Sequence, residues 1–173
     1  LSEDAEIIIY ERGPYISFAN CGLAYHIGGH IKDRDRLLVQ TPEGFKNRFN
    51  IDVHTSTEVM SIDRKNKTVT VNDLIANTQR TEQYDSLILS PGAEPIVPPL
   101  PGTDLNGVYT LRSIPDMDRI KKLVDDNTAK SALIVGGGYI GLEMAEALRY
   151  RDLDVTLVEL APQVLGPLDP EMA

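Results

Sequence analysis

The residues best suited to chemistry include a glycine-rich run in the pattern Gly-x-Gly-x-x-Gly, which reads Gly136-Gly137-Gly138-Tyr139-Ile140-Gly141. Gly136 permits a tight strand-to-helix turn, Gly138 lets the backbone approach a pyrophosphate, and Gly141 allows a helix to pack closely on a strand. The amino end of the helix that follows would face the negative charge of the phosphates. This pattern predicts a dinucleotide site, with an ordinary glycine-rich turn as the alternative.

An acid at the end of the next predicted strand completes this pattern. The apolar stretch 155–158 ends at Glu159, which stands 23 positions after Gly136. A carboxylate about 20 residues after the first glycine typically accepts hydrogen bonds from a ribose. Because a carboxylate would repel a 2′-phosphate, Glu159 favours NADH over NADPH.

The second candidate for chemistry is Cys21, the single cysteine of the sequence. Ser17 and Asn20 precede it and can donate hydrogen bonds to a thiolate, while Gly22 would leave access to the sulfur open. If Cys21 heads a short helix, the helix dipole also favours the anion, by roughly 0.3–1 kcal/mol. A lone cysteine is more often a small buried apolar residue, so that alternative stays open.

Glu11 has the same setting as Glu159, because it closes the apolar stretch 6–10. Only ten residues precede it, so this sequence has no room for a glycine-rich turn about 20 residues earlier. Taken alone, Glu11 is a surface acid at a strand end. In a longer chain it would be the ribose-binding acid of a first dinucleotide fold, and we expect the sequence to be part of such a chain.

Local patterns predict helices beside these residues. A short helix is expected around 25–27. Thr41 is a candidate N-cap for a helix over 42–49. Ser113 and Asp116 resemble a capping box at the start of a further helix.

The predicted strands differ in character. The apolar run 6–10 is typical of a buried parallel strand. The β-rich stretches 53–62 and 68–71 flank turn residues and predict an antiparallel hairpin, and a third β-rich stretch covers 84–89. The proline-rich stretch 91–101 indicates a connector between two units.

Bulk composition limits the classes of function. The 173 residues include 17 basic and 26 acidic side chains, a net charge of −9, and 42% are hydrophobic. This content supports a packed core, whereas nucleic-acid binding needs a basic surface that this balance does not provide. No apolar run approaches the roughly 18–20 residues of a membrane span, and no signal peptide opens the sequence. We therefore expect a cytoplasmic protein without nucleic-acid or membrane partners.

The three histidines and one cysteine show no metal-ligand spacing, so no metal site is predicted.

The segment Ser17-Phe18-Ala19-Asn20-Cys21-Gly22-Leu23 resembles the active-site segment of coenzyme A-disulfide reductases, which belong to the pyridine nucleotide-disulfide oxidoreductases. The order and spacing of further motifs agree over nearly the whole sequence. These motifs are Ile27-Gly28-Gly29, Thr41-Pro42-Glu43, Ser90-Pro91-Gly92-Ala93, the glycine run and Pro167-Leu168-Asp169-Pro170.

The resemblance implies an α/β protein of two nested dinucleotide-binding (Rossmann-like) folds, both incomplete here, with a small antiparallel β element. A partial FAD-binding domain with the redox-cysteine segment would cover 1–111, and the first part of an NAD(P)H-binding domain would cover 112–173. The complete enzyme is expected to be a homodimer, and this sequence by itself is expected to be inactive.

The resemblance also implies a role for individual residues. Cys21 falls on the redox-active nucleophile of the family, and Ser17 and Asn20 fall on positions that line the coenzyme A thiol site. The implied cofactor positions are Glu11, Val59, Ser90 and Gly92 for FAD, and Gly136, Gly138, Tyr139, Ile140, Gly141 and Glu159 for the pyridine nucleotide. For the backbone positions beside FAD, a core strand residue and a plain Pro-Gly turn are the alternatives.

Two positions depart from the family pattern. Ala24 stands where the family commonly has proline, and Phe49 stands where some members have a lysine that touches coenzyme A. Arg48 could substitute for that lysine or be a solvated charge. Dithiol members such as glutathione reductase carry a second cysteine five positions on, where this sequence has His26. Cys21 must therefore pair with an external sulfur or be oxidised to a sulfenate.

Three functions are compatible with these observations. The first is FAD- and NADH-dependent reduction of a small disulfide, such as coenzyme A disulfide or a related polysulfide or persulfide. The second is an NADH oxidase or peroxidase that uses a cysteine sulfenate. The residues around the cysteine, Asn20, Leu23 and Tyr25, favour the first over the second. The third is a non-catalytic nucleotide-binding module or an inert fragment.

Overall fold

The computed structural model describes residues 4–173, which separate into two compact units. One unit contains residues 4–18 and 38–93, and the other contains residues 19–37 and 94–173. Each unit therefore combines segments that are far apart in the sequence. The domain boundary between residues 111 and 112 stays a prediction.

Strands and helices follow one another along the described chain as far as residue 158, except in the stretch 84–113, which contains neither. In chain order they are β1 (Ile7–Tyr10), β2 (Ser17–Phe18), α1 (Gly22–Ile27), a 3₁₀ turn (Arg34–Leu37), β3 (Leu38–Gln40), α2 (Pro42–Phe49), β4 (Ile51–His54), β5 (Thr57–Asp63), β6 (Thr68–Asp73), β7 (Thr78–Gln83), α3 (Ile114–Asp125), β8 (Ser131–Val135), α4 (Tyr139–Tyr150) and β9 (Asp154–Val158). Among the described residues, none of the helices has the length and apolar character needed to span a membrane.

In the first unit, β1 pairs in parallel with β4, and β2 pairs with β3 in antiparallel fashion. The parallel strand predicted at 6–10 is thereby confirmed. The prediction that this strand is buried is wrong, because Ile7 and Ile8 are exposed. Helix α2 packs against β4. Its predicted N-cap is confirmed, since Gly44 N donates to Thr41 Oγ1 at 3.1 Å.

Strands β5, β6 and β7 form an antiparallel sheet. The predicted hairpin is confirmed, although the stretch 53–62 is divided between β4 and β5. The prediction of a strand at 84–89 is wrong, because the third strand is β7 at Thr78–Gln83. β7 is polar throughout and pairs residue by residue with β6, so backbone pairing and not an apolar pattern determines its position.

In the second unit, α1 packs against α3 and α4. The side chains of Ile27, Ile114 and Met117 are fully buried in this helical core. The predicted capping box is confirmed, because Ser113 and Asp116 each accept a hydrogen bond from the other's backbone nitrogen.

A strand–helix–strand element completes the second unit. β8 pairs in parallel with β9 along their full length, and α4 connects them. This arrangement confirms the strand–turn–helix prediction for the glycine run. Met144 and Leu148 are buried on one face of α4, whereas Ile140, in its first turn, is 61% exposed.

Candidate functional site

The glycine loop joins β8 to α4 and leaves space open at its apex. Gly136 has a φ of +108°, a conformation that residues with side chains rarely adopt. A Cβ atom at Gly136 or Gly138 would meet no atom within 4 Å, whereas one at Gly141 would overlap the carbonyl oxygen of Gly136. The open space before Gly138, which is the N-cap of α4, fits a pyrophosphate.

Glu159 is tied directly to this loop. Its Oε2 accepts a hydrogen bond from Gly137 N at 2.6 Å, and its Oε1 accepts one from Ala161 N at 2.8 Å. These backbone hydrogen bonds, from Ala161 first and then from Gly137, hold the pKa of Glu159 below its ordinary value. The carboxylate is therefore ionised at neutral pH beside the loop, and its remaining lone pairs fit ribose hydroxyls.

The two residues that open α4 lie next to the same space. Tyr139 and Ile140 are 62% and 61% exposed. Their side chains are thus available to a bound nucleotide, and the role predicted for them stays a prediction.

Cys21 is exposed and occupies the N-cap position of α1. The alternative that it is a small buried residue is wrong. Gly22 is buried, and a Cβ atom there would approach Leu37 Cδ2 to 2.6 Å. The prediction that Gly22 opens access to the sulfur is therefore corrected: this glycine allows close packing beneath α1, while the thiol lies at the surface.

Asn20 contacts a residue that the sequence analysis did not identify. Arg112 Nη1 donates to Asn20 Oδ1 at 2.7 Å, although 92 positions separate the two residues. No local pattern could have indicated this pair. Ser17 lies in β2 of the first unit, half-buried and paired with Gln40.

Glu11 is fixed at the carboxyl end of β1. Its backbone nitrogen donates to His54 O, and its carbonyl oxygen accepts from Thr57 N, both at 2.9 Å. Gly13 N donates to Glu11 Oε1 at 2.6 Å, which leaves Oε2 suited to a ribose hydroxyl. Ligands bind at the carboxyl ends of strands in open α/β sheets, so the position of this acid fits the nucleotide half of FAD.

The other positions predicted beside FAD are exposed. Val59 lies in β5 opposite Val71 and is 41% exposed, so it is not a core strand residue. Ser90 and Gly92 lie outside helices and strands, and Gly92 has a φ of +71°, which favours glycine. Their contacts with a cofactor stay predictions.

The two departures from the family pattern, and the position where dithiol members carry a second cysteine, have clear local environments. His26 is buried, with Nδ1 2.6 Å from Ile31 O, so a buried ring occupies the place of a second cysteine. Ala24 is also buried. The Arg48 guanidinium stacks on the Phe49 ring at 5.2 Å, a contact worth about 0.5–1 kcal/mol at an exposed site. Within residues 4–173, no group of three or more acidic, histidine or cysteine side chains could hold a metal ion.

A family model described as pyridine nucleotide-disulphide oxidoreductase matches residues 2–173. The chain belongs to this family. As a pyridine nucleotide-disulphide oxidoreductase it has the predicted fold class, an α/β architecture of the Rossmann type with a small antiparallel sheet.

Curated relatives and a solved structure agree with this membership. An NADH oxidase of Methanocaldococcus jannaschii is 43% identical over 173 residues, and a coenzyme A disulfide reductase of Staphylococcus haemolyticus is 43% identical over 172 residues. Each match covers 99% of this chain and 38% of the relative, so the chain spans less than half the length of either. The crystal structure of reduced CoADR-RHD from Bacillus anthracis is 53% identical with a TM-score of 0.97, covering 100% of this chain and 31% of that one.

Proposed function

We propose that this chain belongs to an FAD- and NADH-dependent enzyme that reduces a small disulfide through Cys21. Coenzyme A disulfide, or a related polysulfide or persulfide, is the proposed substrate. The observation that carries the proposal is the exposed thiol of Cys21 at the start of α1, in a chain with a single cysteine. The similarity to coenzyme A disulfide reductases supports it. A homodimeric assembly and a cytoplasmic location stay predictions.

Two sets of residues would hold the nucleotides. The loop from Gly136 to Gly141 would bind the pyrophosphate of NADH, and Glu159 would accept hydrogen bonds from its ribose. Glu11 would accept a hydrogen bond from the ribose of FAD. The backbone positions proposed to border FAD are Val59, Ser90 and Gly92. When bound, FAD supplies the relay by which the electron pair of NADH reaches sulfur.

The sulfur chemistry needs one protein thiolate. Cys21 attacks one sulfur of the substrate disulfide, which forms a mixed disulfide and releases the first substrate thiolate. Two electrons from NADH then cleave the mixed disulfide, regenerating the Cys21 thiolate and releasing the second. The balance is RSSR + NADH + H⁺ → 2 RSH + NAD⁺. Ser17 and Asn20 would donate hydrogen bonds to the sulfur anions, and the sequence has no second cysteine to replace the external thiol.

An NADH oxidase or peroxidase is the second candidate function. The Methanocaldococcus jannaschii relative of that name is as similar to this chain as the coenzyme A disulfide reductase is. In that case Cys21 would cycle through a sulfenate, which is the product of thiolate oxidation by peroxide.

The test of the proposal is Cys21→Ser in the flavin-loaded holoenzyme, with Cys21→Ala as a second variant. Serine keeps the size but cannot form a disulfide, so we expect disulfide reduction to be abolished while NADH still bleaches the bound flavin. Mass spectrometry of the unmodified enzyme should find a reducible coenzyme A adduct on Cys21. Full turnover by the serine variant would refute the proposal. A sulfenate on Cys21 with NADH-driven reduction of oxygen or peroxide would assign the oxidase function instead.

A further inference from the structure

Arg112 is held in place at the start of α3 by Asp116. Asp116 Oδ2 accepts hydrogen bonds from Arg112 N at 3.2 Å, from Ser113 N at 2.9 Å and from Ser113 Oγ at 2.7 Å. Burial acts to raise the pKa of Asp116, but the hydrogen bonds from Ser113 and Arg119 outweigh it and hold the pKa below its ordinary value. An ionised carboxylate therefore fixes the backbone of Arg112.

From this fixed backbone, the side chain of Arg112 reaches the segment before the cysteine. Its Nη1 donates to Asn20 Oδ1 at 2.7 Å. A guanidinium has only donors, so the atom of the amide that faces it must be the oxygen. The Nδ2 group of Asn20 is then the end that faces away from Arg112, and Asn20 directly precedes Cys21.

Helix α1, which Cys21 heads, is attached to α3 independently of this contact. Ile27 of α1 and Ile114 and Met117 of α3 are fully buried where the helices of this unit pack. Arg34, in the 3₁₀ turn after α1, donates to both carboxylate oxygens of Asp118 in α3, at 2.8 and 2.7 Å. Such paired contacts have a defined geometry. Arg112 precedes α3 and Asn20 precedes α1. The positions of these two helices relative to each other are therefore fixed by contacts other than the Arg112–Asn20 hydrogen bond.

We infer that Arg112 is a positioning residue for the thiol chemistry, because it orients the side-chain amide of Asn20 so that an N–H donor, and not the carbonyl oxygen, is presented to a sulfur anion at Cys21. The inference rests on the function proposed above. The two orientations of an amide have nearly the same shape, so packing alone selects poorly between them. An N–H donor stabilises a thiolate, whereas a carbonyl oxygen repels it.

The experiment follows alkylation of Cys21 by iodoacetamide against pH in the flavin-loaded holoenzyme, read by mass spectrometry of the peptide that contains it. Arg112→Met keeps the length of the side chain and removes its donors. We expect this variant to move the alkylation midpoint to higher pH and to lower kcat for disulfide reduction about tenfold, as for the loss of one hydrogen bond to a charged group. Arg112→Lys should show a smaller shift of the alkylation midpoint and a smaller loss of kcat than Arg112→Met. The matched control is Arg64→Met at an exposed turn arginine, which should change neither.

A double-mutant cycle with Asn20→Ala distinguishes positioning from general support of the fold. If Arg112 acts through Asn20, then Asn20→Ala shifts the alkylation midpoint and Arg112→Met adds no further shift to it. Additive shifts, or an unchanged midpoint in Arg112→Met alone, would overturn the inference. Loss of bound flavin from Arg112→Met would do so as well, since it would assign the arginine to cofactor binding. If Cys21→Ser does not lower disulfide turnover, the proposed function itself has failed.

Discussion

Glu159 Oε2 lies 2.6 Å from the backbone nitrogen of Gly137, so the acid after β9 and the loop after β8 are joined by a hydrogen bond. The two positions are 22 residues apart, and each follows one of two neighbouring parallel strands. This hydrogen bond holds the proposed ribose acceptor beside the glycine loop that we propose binds the pyrophosphate. A change at either position is expected to alter nucleotide binding at both.

Removal of the Glu159 carboxylate should reduce the expected preference for NADH over NADPH. We expect Glu159→Ala to lower kcat/KM for NADH about tenfold, because a charged hydrogen-bond acceptor is lost. The kcat/KM for NADPH should fall less, because the repulsion between the carboxylate and the 2′-phosphate disappears as well. Steady-state kinetics with both nucleotides measure this, and Glu159→Gln, which keeps the shape without the charge, is the control. An unmodified enzyme that used NADPH as well as NADH would contradict the prediction.

Two alanine substitutions in the glycine loop should have opposite effects on folding. Gly138→Ala adds a methyl group to open space at a negative φ, so the melting temperature should be kept or slightly raised while NADH affinity falls. Gly141→Ala would drive a methyl group into the Gly136 carbonyl oxygen and should cost about 1–3 kcal/mol of unfolding free energy. Thermal melting and NADH titration of both variants separate the two roles. Equal melting temperatures would show that the loop adapts to a side chain at either position.

Several elements were predictable because their signals are local. The glycine run demands a turn that only glycine adopts readily, and the structure places a φ of +108° at Gly136. Thr41 and Ser113 each precede a helix whose first backbone N–H groups need an acceptor, and both side chains supply one. Chemistry within four residues was enough to place these helix starts.

Other features depend on contacts that no local pattern encodes. β7 has no apolar alternation, and it becomes a strand because β6 offers a row of backbone partners. The stretch 84–89 instead contains Tyr84 and Ile88, residue types that favour strands individually, but it forms no strand. The hydrogen bond between Arg112 and Asn20 joins residues 92 positions apart, and it forms only once α1 and α3 are packed together.

The depressed pKa of Asp116 predicts a contribution to stability that acid removes. Its folded pKa lies below the unfolded value of about 3.9, so the contribution is complete above that pH and is lost as the pH falls through the folded pKa. We expect Asp116→Ala to lower the unfolding free energy by roughly 1–2 kcal/mol at pH 7, as for other helix caps, and by less in acid. Urea unfolding over a pH series measures this, with exposed Asp104→Ala as the control. If the loss of unfolding free energy in Asp116→Ala stayed constant down to pH 2, the charge of Asp116 would have no role in stability.

The second unit draws one segment, 19–37, from early in the chain and the rest, 94–173, from late in it. During synthesis, α1 therefore leaves the ribosome well before the helices that cover its apolar side. At about 5–20 residues per second, roughly 5–20 s separate the translation of Cys21 from that of the end of α3. Throughout this interval the sulfur is an ordinary unfolded thiol, available to cellular oxidants. We therefore expect the reactivity proposed for Cys21 to develop only after α3, which is translated much later, has packed against α1.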